Sequence, residues 1–451
     1  MGPWRPLLAQ APPQGVVAWR NRRAITVEAF RADVDALAVR LPDAPAAVNL
    51  CEDRYAFLVA FAALLTRGQT NLLPPSRAAH AIDEALATHP GSYTLGDMAL
   101  DPVPPDYLRF EPDGSAGQGA TSPALIAADA LAAIGYTSGS TGVPRANPKY
   151  WDKLAISSGH NDALLYGLAG GAYHVVATVP PQHMYGLEFS VMLPLFGHAS
   201  VHAGRPFFAA DIARALHELP APRVLVATPV HLRALVEAAQ PLPALAVMVS
   251  ATAPLSRELA DTAECRFNAP VQEVFGSTET CVFAHRRTAH AETWTTYAGV
   301  TLHPQPDGTR VEAPQLAQPV VLADIVELQG DGHFRLRGRN TDLLEIAGKR
   351  ASLGDLTHKL LAIPGVRDGV VLQLDDTDAM GIRRIAALAV APGMSESAIL
   401  DALRAEIDPV FLPRPLKCVA ALPRSETGKL PRAALLEVLK RDSGLGTRDS
   451  K

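Results

Sequence analysis

The sequence predicts an α/β fold: a large N-terminal domain of parallel-type sheets with flanking helices and a small β-rich subdomain, followed by a small α+β domain. Between residues 26 and 275, short apolar runs alternate with amphipathic segments, which is typical of a parallel sheet covered on both faces. From 294 to 321 the chain is rich in proline and has only short β-type runs. Beyond Gly338 a new rhythm of helices and strands begins, so we predict domains at 1–338 and 339–451.

Helices are predicted where apolar residues recur at helical spacing after a capping residue, and strands where short apolar runs stand between turn residues. Thr26, for example, can cap a helix in which Phe30, Val34 and Leu37 recur at this spacing. The predicted strands of the first domain are 48–50, 70–73, 131–136, 174–179, 199–203, 224–227, 246–250 and 271–275. The further predicted helices are 53–66, 76–88, 151–166, 209–219, 229–239 and 255–264. Residues 101–123, rich in Pro, Gly and Ser, are predicted to form a loop.

The C-terminal part of the chain shows a different pattern. Asp331-Gly332 stands between two short apolar runs, 325–328 and 333–336, and this predicts a β-hairpin. After the hairpin we predict helices at 353–362 and 395–407 and strands at 366–374, 384–391 and 415–421. Such a mixture of few helices and strands predicts the small α+β domain.

Composition excludes several classes of protein. The 451 residues are 48% hydrophobic and 19% charged, which is the balance of a soluble globular protein. The net charge is −5 and no basic run is present, which argues against a nucleic-acid partner. The longest apolar stretch, 55–65, is far shorter than the roughly 20 residues of a membrane span. The first 15 residues lack the apolar segment of a signal peptide, and the cysteines are widely spread, so we expect a cytoplasmic protein with free thiols and no zinc site.

A loop of small polar residues follows the predicted strand 131–136. Its members are Thr137, Ser138, Gly139, Ser140, Thr141 and Gly142. Their amide N–H groups and hydroxyls can turn toward one anion, and glycine permits close backbone approach, so the loop predicts phosphate binding. A flexible linker is the alternative, but the apolar strand before the loop and Pro144 after it argue against one. The loop of P-loop NTPases does not fit, because no Lys-Ser/Thr pair follows the last glycine.

An acidic residue stands just beyond the predicted strand 271–275, in the order Gly276-Ser277-Thr278-Glu279. A carboxylate at the end of a strand suits Mg²⁺, which takes one or two carboxylates together with phosphate oxygens. The alternative is an ordinary helix N-terminus, in which Thr278 is the cap and Glu279 complements the helix dipole.

Segment 136–145 resembles the phosphate loop of the adenylate-forming superfamily, which includes acyl-CoA and aryl-CoA synthetases, peptide-synthetase adenylation domains and luciferases. Further motifs follow in the order of that family. Residues 180–186 resemble its Pro-x-x-His-x-x-Gly element, 250–255 its Gly-Gly-Ala-Pro-Leu segment, 275–279 its Tyr-Gly-x-Thr-Glu motif and 422–432 its Pro-Arg-Thr-x-x-Gly-Lys-x-x-Arg element. Asp324 and the Gly338-Arg339 pair also match, and the resemblance is weakest before residue 130.

The resemblance implies a role for each matching residue. Thr278 would contact the α-phosphate, Glu279 would bind Mg²⁺, and Lys429 would bridge the attacking carboxylate and the nucleotide; these are the implied catalytic residues. The implied ATP-binding residues outside the phosphate loop are Thr252, Ala253, Pro254, Phe275, Asp324 and Arg339. The implied acid-binding residues are His183, Tyr185, Ser250, Ala251 and Gly276.

Some positions depart from the family pattern. Phe275 replaces the usual Tyr, which keeps a ring for stacking on adenine and loses the hydroxyl, and Ala251 and Thr252 replace glycines. The family implies that residues 339–451 form a mobile lid that swings between two half-reactions. The pivot of that lid stays open between Thr341 and Asp342, because Thr341 stands where the family usually has an acidic residue.

The resemblance implies an enzyme that uses ATP and Mg²⁺ to convert a carboxylic acid into an acyl-adenylate, releases pyrophosphate and passes the acyl group to a thiol. An acyl carrier protein is the first candidate acceptor, and coenzyme A is the runner-up. An apolar cavity of modest size is expected, and it favours an aromatic, hydroxybenzoate-like or short acyl acid. Its candidate residues are His183, Tyr185, Phe189, Val226, Ser250, Ala251 and Gly276. The alternative is a non-catalytic relative that binds a nucleotide, but Lys429 and Glu279 are intact and argue against it. A luciferase-like oxygenase is a more distant alternative.

Overall fold

The computed structural model describes residues 3–8, 15–114, 124–137, 145–238, 240–306, 308–339, 343–346, 349–377, 383–425 and 428–441. The chain divides into two units. The first comprises Met1–Val300 and Glu312–Val320, and the second comprises Thr301–Val311 and Val321–Lys451. The boundary between residues 338 and 339, predicted to separate the ATP- and acid-binding domain from the mobile lid, stays a prediction.

The first unit alternates strands and helices. Its strands are β1 (Trp4–Pro6), β2 (Val16–Arg20), β3 (Arg23–Thr26), β4 (Ala46–Asn49), β5 (Thr70–Leu73), β6 (Tyr93–Gly96), β7 (Tyr107–Arg109), β8 (Leu125–Ala127), β9 (Leu131–Thr137), β10 (Arg145–Tyr150), β11 (Tyr173–Ala177), β12 (Ala199–His202), β13 (Arg223–Ala227), β14 (Val247–Ser250), β15 (Val271–Ser277), β16 (Cys281–Arg286) and β17 (Trp294–Thr296). Its helices are α1 (Val27–Arg40), α2 (Arg54–Thr66), α3 (Ala79–Ala87), α4 (Trp151–Ala169), α5 (Met184–Leu187), α6 (Leu193–Phe196), α7 (Ala209–His217), α8 (Pro229–Glu237) and α9 (Arg257–Phe267). The π-helical turns of Glu188–Met192 join α5 to α6.

Two sheets organise this unit. One has the strand order β10-β9-β5-β4-β6-β7, in which β10 is antiparallel and the other strands are parallel. The other contains β17-β16-β15-β14-β13-β11-β12-β2-β3, and its strands from β15 to β2 are parallel. Parallel strands with crossover helices place their carboxyl ends at one edge of each sheet, where loops are free to bind ligands.

Helix α2 is the central element of the hydrophobic core. All of its residues from Arg54 to Leu65 are buried. Those from Tyr55 to Leu65 belong to one cluster with side chains from both sheets, as expected for a helix segment that is apolar on every face. Asp53 caps the helix, since its Oδ1 accepts from Ala56 N at 2.8 Å. The guanidinium of Arg54 is fully buried and donates to the carbonyls of Ala177 and Val179, at 2.8 and 2.9 Å, and to Ser190 Oγ.

The predicted α/β class is confirmed, and the predicted strands and helices of the first unit are present with shifted ends. Thr26 caps α1 as expected, accepting from Ala29 N at 3.2 Å. The loop predicted at 101–123 is wrong in part, because Tyr107–Arg109 forms β7, an edge strand too short to show an apolar pattern. The β2–β3 hairpin was not predicted; its turn uses Asn21 and Arg22 at positive φ without a glycine.

Among its described residues, the second unit combines β-strands with three α-helices. Its elements are β18 (Thr301–Gln305), β19 (Gly308–Glu312), β20 (Val320–Leu322), β21 (Asp324–Gly330), β22 (His333–Arg339), β23 (Leu343–Ile346), β24 (Lys349–Ser352), α10 (Leu353–Leu361), β25 (Asp368–Thr377), β26 (Arg383–Val390), α11 (Glu396–Glu406), β27 (Leu416–Cys418) and α12 (Arg432–Arg441). The predicted hairpin is present as β21–β22, and β25-β26-β27 form a sheet whose faces pack against the helices. Within the described residues of either unit, no helix combines the length and apolarity that crossing a membrane requires.

A pair of glycine substitutions tests the packing of the first unit. A Cβ at Gly186 would lie 1.9 Å from the carbonyl oxygen of Pro180, so Gly186→Ala must shift backbone and is expected to destabilise the protein by about 1–3 kcal/mol. The matched control is Gly159→Ala on α4, where nothing lies within 4 Å and alanine should stabilise the helix by up to about 1 kcal/mol. Urea denaturation of both variants provides the measurement, and equal midpoints would contradict the predicted contact.

Candidate active site

The carboxyl ends of strands from both sheets of the first unit border a small cleft. The cleft is lined by Leu73, Pro74, Pro75, Gly135, Tyr136, Lys149, Gln182, His183, Met184, Leu187 and Thr278. Two predicted site residues, His183 and Thr278, therefore meet here, beside the strand β9 that leads to the Ser/Gly-rich loop. Glycine at position 135 makes this approach possible, because a Cβ there would lie only 3.0 Å from Thr278 Cγ2.

Thr278 and Glu279 lie on the turn between β15 and β16. Within the turn, Ser277 N donates to Thr280 Oγ1 at 3.0 Å, Thr280 N donates to Ser277 Oγ at 3.2 Å, and Thr280 Oγ1 donates to the carbonyl of Cys281 at 2.9 Å. A strand comes after the turn, so the alternative of a helix start with Thr278 as its cap is wrong. Both Thr278 and Glu279 are partly exposed, which leaves their side chains accessible to a ligand.

Two cleft residues, Lys149 and Gln182, were not predicted as site residues. Lys149 is only 6% exposed on β10, where Asn147 and Lys149 alternate with exposed neighbours as inward positions of a strand. Gln182 is 9% exposed, and its Oε1 has no hydrogen-bond partner among the described residues. The alternation along β10 is a signal that could have placed Lys149 inward, whereas nothing local distinguishes Gln182.

Buried polar side chains form hydrogen bonds with the backbone at and just after the Thr278–Glu279 turn. Lys149 Nζ donates to the carbonyl oxygen of Glu279 at 3.2 Å. The carboxylate of Glu188, on the π-helical turns, accepts from Val282 N at 3.2 and 3.1 Å and also from Ser157 Oγ. Burial raises the pKa of Glu188, and its hydrogen bonds and the positive charge of Lys149 oppose that rise.

The segments predicted to hold adenine are fixed by a second buried carboxylate. Glu273 accepts from Leu255 N at 3.3 Å, at the end of the 250–255 segment, and from Arg286 Nε at 2.7 Å. Arg286 stacks over the ring of Trp294, with its guanidinium 4.4 Å from the ring centroid. The ring of Phe275 lies 5.3 Å from that of Trp294, so these contacts link the two predicted adenine segments.

Within the 250–255 segment, Thr252 and Pro254 differ in exposure from their neighbours. Thr252 and Pro254 are exposed. Thr252 has a φ of +79°, at a position where the family has glycine. Ala251 and Ala253 are partly exposed.

The predicted acid-binding residues do not share one environment. Tyr185 is buried, and its hydroxyl donates to the carbonyl of Ala227 at 3.0 Å, so it anchors α5 to the end of β13. Ser250 pairs with Ala227 across β14 and β13 and is buried, with no partner for its Oγ among the described residues. Gly276 is exposed, and a Cβ there would lie 2.2 Å from the carbonyl of Cys281, so this hairpin requires glycine.

The second unit brings together its own predicted residues. Asp324 pairs with Arg339 in the register of the β21–β22 hairpin. Gly338 has a φ of +120°, and a Cβ there would lie 1.9 Å from Ser352 Oγ, so a glycine is required beside the cap of α10. Lys429 is exposed, on a segment that Arg424 fastens. The predicted residues Ser138, Gly139, Ser140, Thr141, Gly142, Thr341 and Asp342 lie outside the described residues, and Thr137 is the last residue of β9.

Comparisons with known proteins place this geometry in context. The model of the family described as AMP-binding enzyme matches residues 35–312. A 4-coumarate–CoA ligase of Rhodobacter capsulatus is 30% identical over 307 residues, which cover 66% of this chain and 74% of that protein. A 3-hydroxybenzoate–CoA ligase of Aromatoleum sp. is 31% identical over 123 residues, 26% of this chain and 23% of that protein.

Solved structures have the same fold. ATP-bound MatB from Rhodopseudomonas palustris aligns with a TM-score of 0.78 and 20% identity over 96% of each chain. The o-succinylbenzoate CoA synthetase MenE from Bacillus subtilis, in complex with its acyl-adenylate intermediate, aligns with a TM-score of 0.77 and 16% identity over 100% of each chain. At these identities the structural likeness shows the fold alone.

The contribution of Arg424 to holding the segment that contains Lys429 can be tested without an activity assay. Arg424 donates to both oxygens of Asp368, at 3.0 and 2.7 Å, and to the carbonyl of Gly428 at 2.7 Å. Arg424→Met removes these bonds, so trypsin is expected to cleave after Lys429 faster than in the wild type. The matched control is Arg404→Met, which removes an exposed pair with Asp401. Cleavage timed by mass spectrometry is the measurement, and identical rates in the three proteins would show that Arg424 does not restrain the segment.

Proposed function

Since this chain belongs to the AMP-binding enzyme family, within the adenylate-forming superfamily, we propose which of its residues activate the acid and which acid they select. The chain is an acid–thiol ligase of the AMP-forming type: it activates a carboxylic acid with ATP and transfers the acyl group to a thiol. The observation that carries the proposal is the cleft in which Thr278 and His183 meet beside β9.

In the proposed reaction, the acid carboxylate attacks the α-phosphorus of ATP and pyrophosphate leaves. Both reactants are anions, so catalysis depends on charge neutralisation and alignment more than on a general base. We assign Thr278 to the α-phosphate and the 137–142 loop to the phosphates. His183 borders the acid carboxylate as a binding residue, and Lys429 supplies positive charge in this half-reaction.

The donor set of the turn fits Mg²⁺ bound together with a nucleotide. Among the described residues, no group of three His, Cys, Asp or Glu side chains could hold a metal alone. Glu279 is one partly exposed carboxylate beside Thr278, and Mg²⁺ commonly takes one or two carboxylates with phosphate oxygens and water. Glu279 would hold the ion, which when bound neutralises phosphate charge.

The nucleoside is assigned to two sets of residues. Phe275, Thr252, Ala253 and Pro254 are proposed to contact adenine, since the Glu273 and Trp294 contacts hold these segments together. Asp324 and Arg339 are proposed to bind the ribose and the phosphates, and their pairing in one hairpin supports a shared ligand. A carboxylate that accepts from both ribose hydroxyls gives this assignment its chemical basis.

We propose an aromatic acid as the substrate. The cleft has apolar walls at Leu73, Met184 and Leu187, and Gln182 offers an unpaired amide oxygen to a hydroxyl donor. Ser250 and Ala251 are the further assigned contacts. The relatives named for 4-coumarate and 3-hydroxybenzoate support an aromatic acid, and their names also support coenzyme A as the thiol. An acyl carrier protein is the second candidate acceptor.

The experiment that tests this function crosses acids with acceptors. Purified protein, ATP and Mg²⁺ are incubated with benzoate, 3- and 4-hydroxybenzoate, 4-coumarate, octanoate or acetate, with either coenzyme A or a loaded carrier protein. Pyrophosphate release reports adenylation, and mass spectrometry reports the thioester. We expect the highest kcat/KM with a hydroxylated aromatic acid. Faster turnover of acetate or octanoate would reject the aromatic assignment, and the absence of pyrophosphate with every acid would reject the proposed set of substrates.

Lys429→Ala is expected to slow adenylation by at least about 100-fold, because it removes positive charge from the site where negative charge accumulates. Thioester formation from supplied acyl-adenylate should be largely retained. Lys440→Ala, an exposed lysine on α12, is the matched control. Adenylation by the Lys429 variant at the wild-type rate would remove this lysine from the mechanism.

Glu279→Gln is expected to raise the Mg²⁺ concentration needed for half-maximal adenylation by about ten-fold or more, since an amide is a poorer ligand for a hard cation than a carboxylate. Mg²⁺ titrations of the variant, of the wild type and of Glu258→Gln, an exposed residue of α9, provide the measurement. An unchanged Mg²⁺ requirement would show that Glu279 is not a metal ligand.

A further inference from the structure

We propose that Lys149 and Glu188 are positioning residues that together hold the turn bearing Thr278 and Glu279, and this inference rests on the role proposed above for that turn. Lys149 belongs to β10, the strand after the Ser/Gly-rich loop. Glu188 comes directly after α5, the helix that begins at the Pro-x-x-His-x-x-Gly segment. The two side chains therefore connect three of the predicted motifs at one place in the fold.

The contacts fall on either side of the same short turn. Lys149 Nζ donates to the carbonyl of Glu279 at 3.2 Å, and the carboxylate of Glu188 accepts from the N–H of Val282 at 3.2 and 3.1 Å. Between these two points lie only Thr280 and Cys281, both buried. Fixing the backbone at Glu279 and Val282 restricts how the turn can rotate, and so restricts where the Thr278 and Glu279 side chains point.

Glu188 is itself held rigidly. It is 1% exposed, accepts from Ser157 Oγ and accepts from Asn161 Nδ2 at 3.3 Å. Asn161 is fixed in turn, because its Oδ1 accepts from the hydroxyl of Tyr297 at 2.9 Å. A chain of buried hydrogen bonds of this kind holds one geometry, since each broken bond leaves an unsatisfied group in a low-dielectric interior.

Burying two charges carries a large desolvation penalty, so it is an inefficient way to stabilise a turn. Replacing a buried pair of opposite charges with apolar side chains is often neutral or stabilising, whereas removing one partner is strongly destabilising. Lys149 and Glu188 are two such buried charges, and the positive charge of Lys149 acts on the Glu188 carboxyl, so stability alone does not account for them. Lys149 lines the same cleft as Thr278, and its Nζ lies 3.2 Å from the carbonyl oxygen of Glu279, the proposed metal ligand. A role in setting the geometry of Glu279 would explain why this cation is buried here. Partners that orient metal ligands affect metal affinity by about 10–100-fold.

The test separates positioning from charge compensation. Lys149→Met leaves Glu188 as an uncompensated buried acid, so this variant is expected to lose stability. The double variant Lys149→Met with Glu188→Gln removes both charges and should recover the unfolding midpoint of Glu188→Gln alone, yet it still lacks the bond to Glu279. Lys153→Met is the matched control, because Lys153 lies on the neighbouring helix and donates only to the carbonyl of Pro314 among the described contacts.

Binding of ATP is measured by calorimetry without any acid, once with Mg²⁺ and once with EDTA. We expect Mg²⁺ to tighten ATP binding in the wild type and in Lys153→Met, and the double variant to lose about ten-fold or more of this effect. A double variant that binds Mg-ATP as the wild type does would overturn the inference, because Lys149 would then only compensate Glu188. A double variant that does not fold at 25 °C would also overturn it, because the pair would then be required for folding.

The same measurements distinguish failure of the proposed function. If the wild type binds Mg-ATP but releases no pyrophosphate with any acid tested, the assigned substrates are wrong, while the comparison of the variants still decides the role of Lys149. If the wild type adenylates an aromatic acid and the double variant keeps its Mg²⁺ effect, only the positioning role is wrong.

Discussion

The buried guanidinium of Arg54 is the constraint on which the arrangement of the first unit depends. A cation with no exposure to water must be compensated, and here the compensation comes from the carbonyls of Ala177 and Val179 and from Ser190 Oγ. Burial lowers the pKa of Arg54 to about 9, and the charge of Arg205 acts in the same direction, so the group still carries its charge at neutral pH. The first turn of α2 is thereby fixed to the end of β11.

These hydrogen bonds of Arg54 also determine the position of the His183 segment. The chain leaves β11 at Ala177, passes the carbonyl of Val179 that Arg54 holds, and enters α5 and the π-helical turns that carry Glu188 and Ser190. π-helical turns are uncommon and occur often at functional sites. Helix α2 packs between the two sheets and fills the core. Through Arg54 it also fixes the segment that contributes Gln182, His183 and Met184 to the lining of the cleft.

We assign the residues around the cleft to different parts of one proposed reaction. Thr278 and Glu279 stand on a turn with internal hydrogen bonds, and Lys149 and Glu188 support that turn from the interior. Phe275 and the 250–255 segment are linked through Glu273, Arg286 and Trp294. Buried carboxylates, each with several donors, thus fix the loops that carry the proposed site residues, and the proposed reaction between two anions requires such alignment.

The sequence by itself determined the α/β class and the order of the motifs, because these depend on local periodicity and on residue type. It predicted the cap of α1 at Thr26 and the β21–β22 hairpin. Only the tertiary structure decided that Glu279 lies on a hairpin turn and that Lys149, Gln182 and Glu188 face the interior. The alternation along β10 offers a local signal for Lys149, whereas the burial of Gln182 and Glu188 depends on partners far away in the chain, which no local pattern encodes.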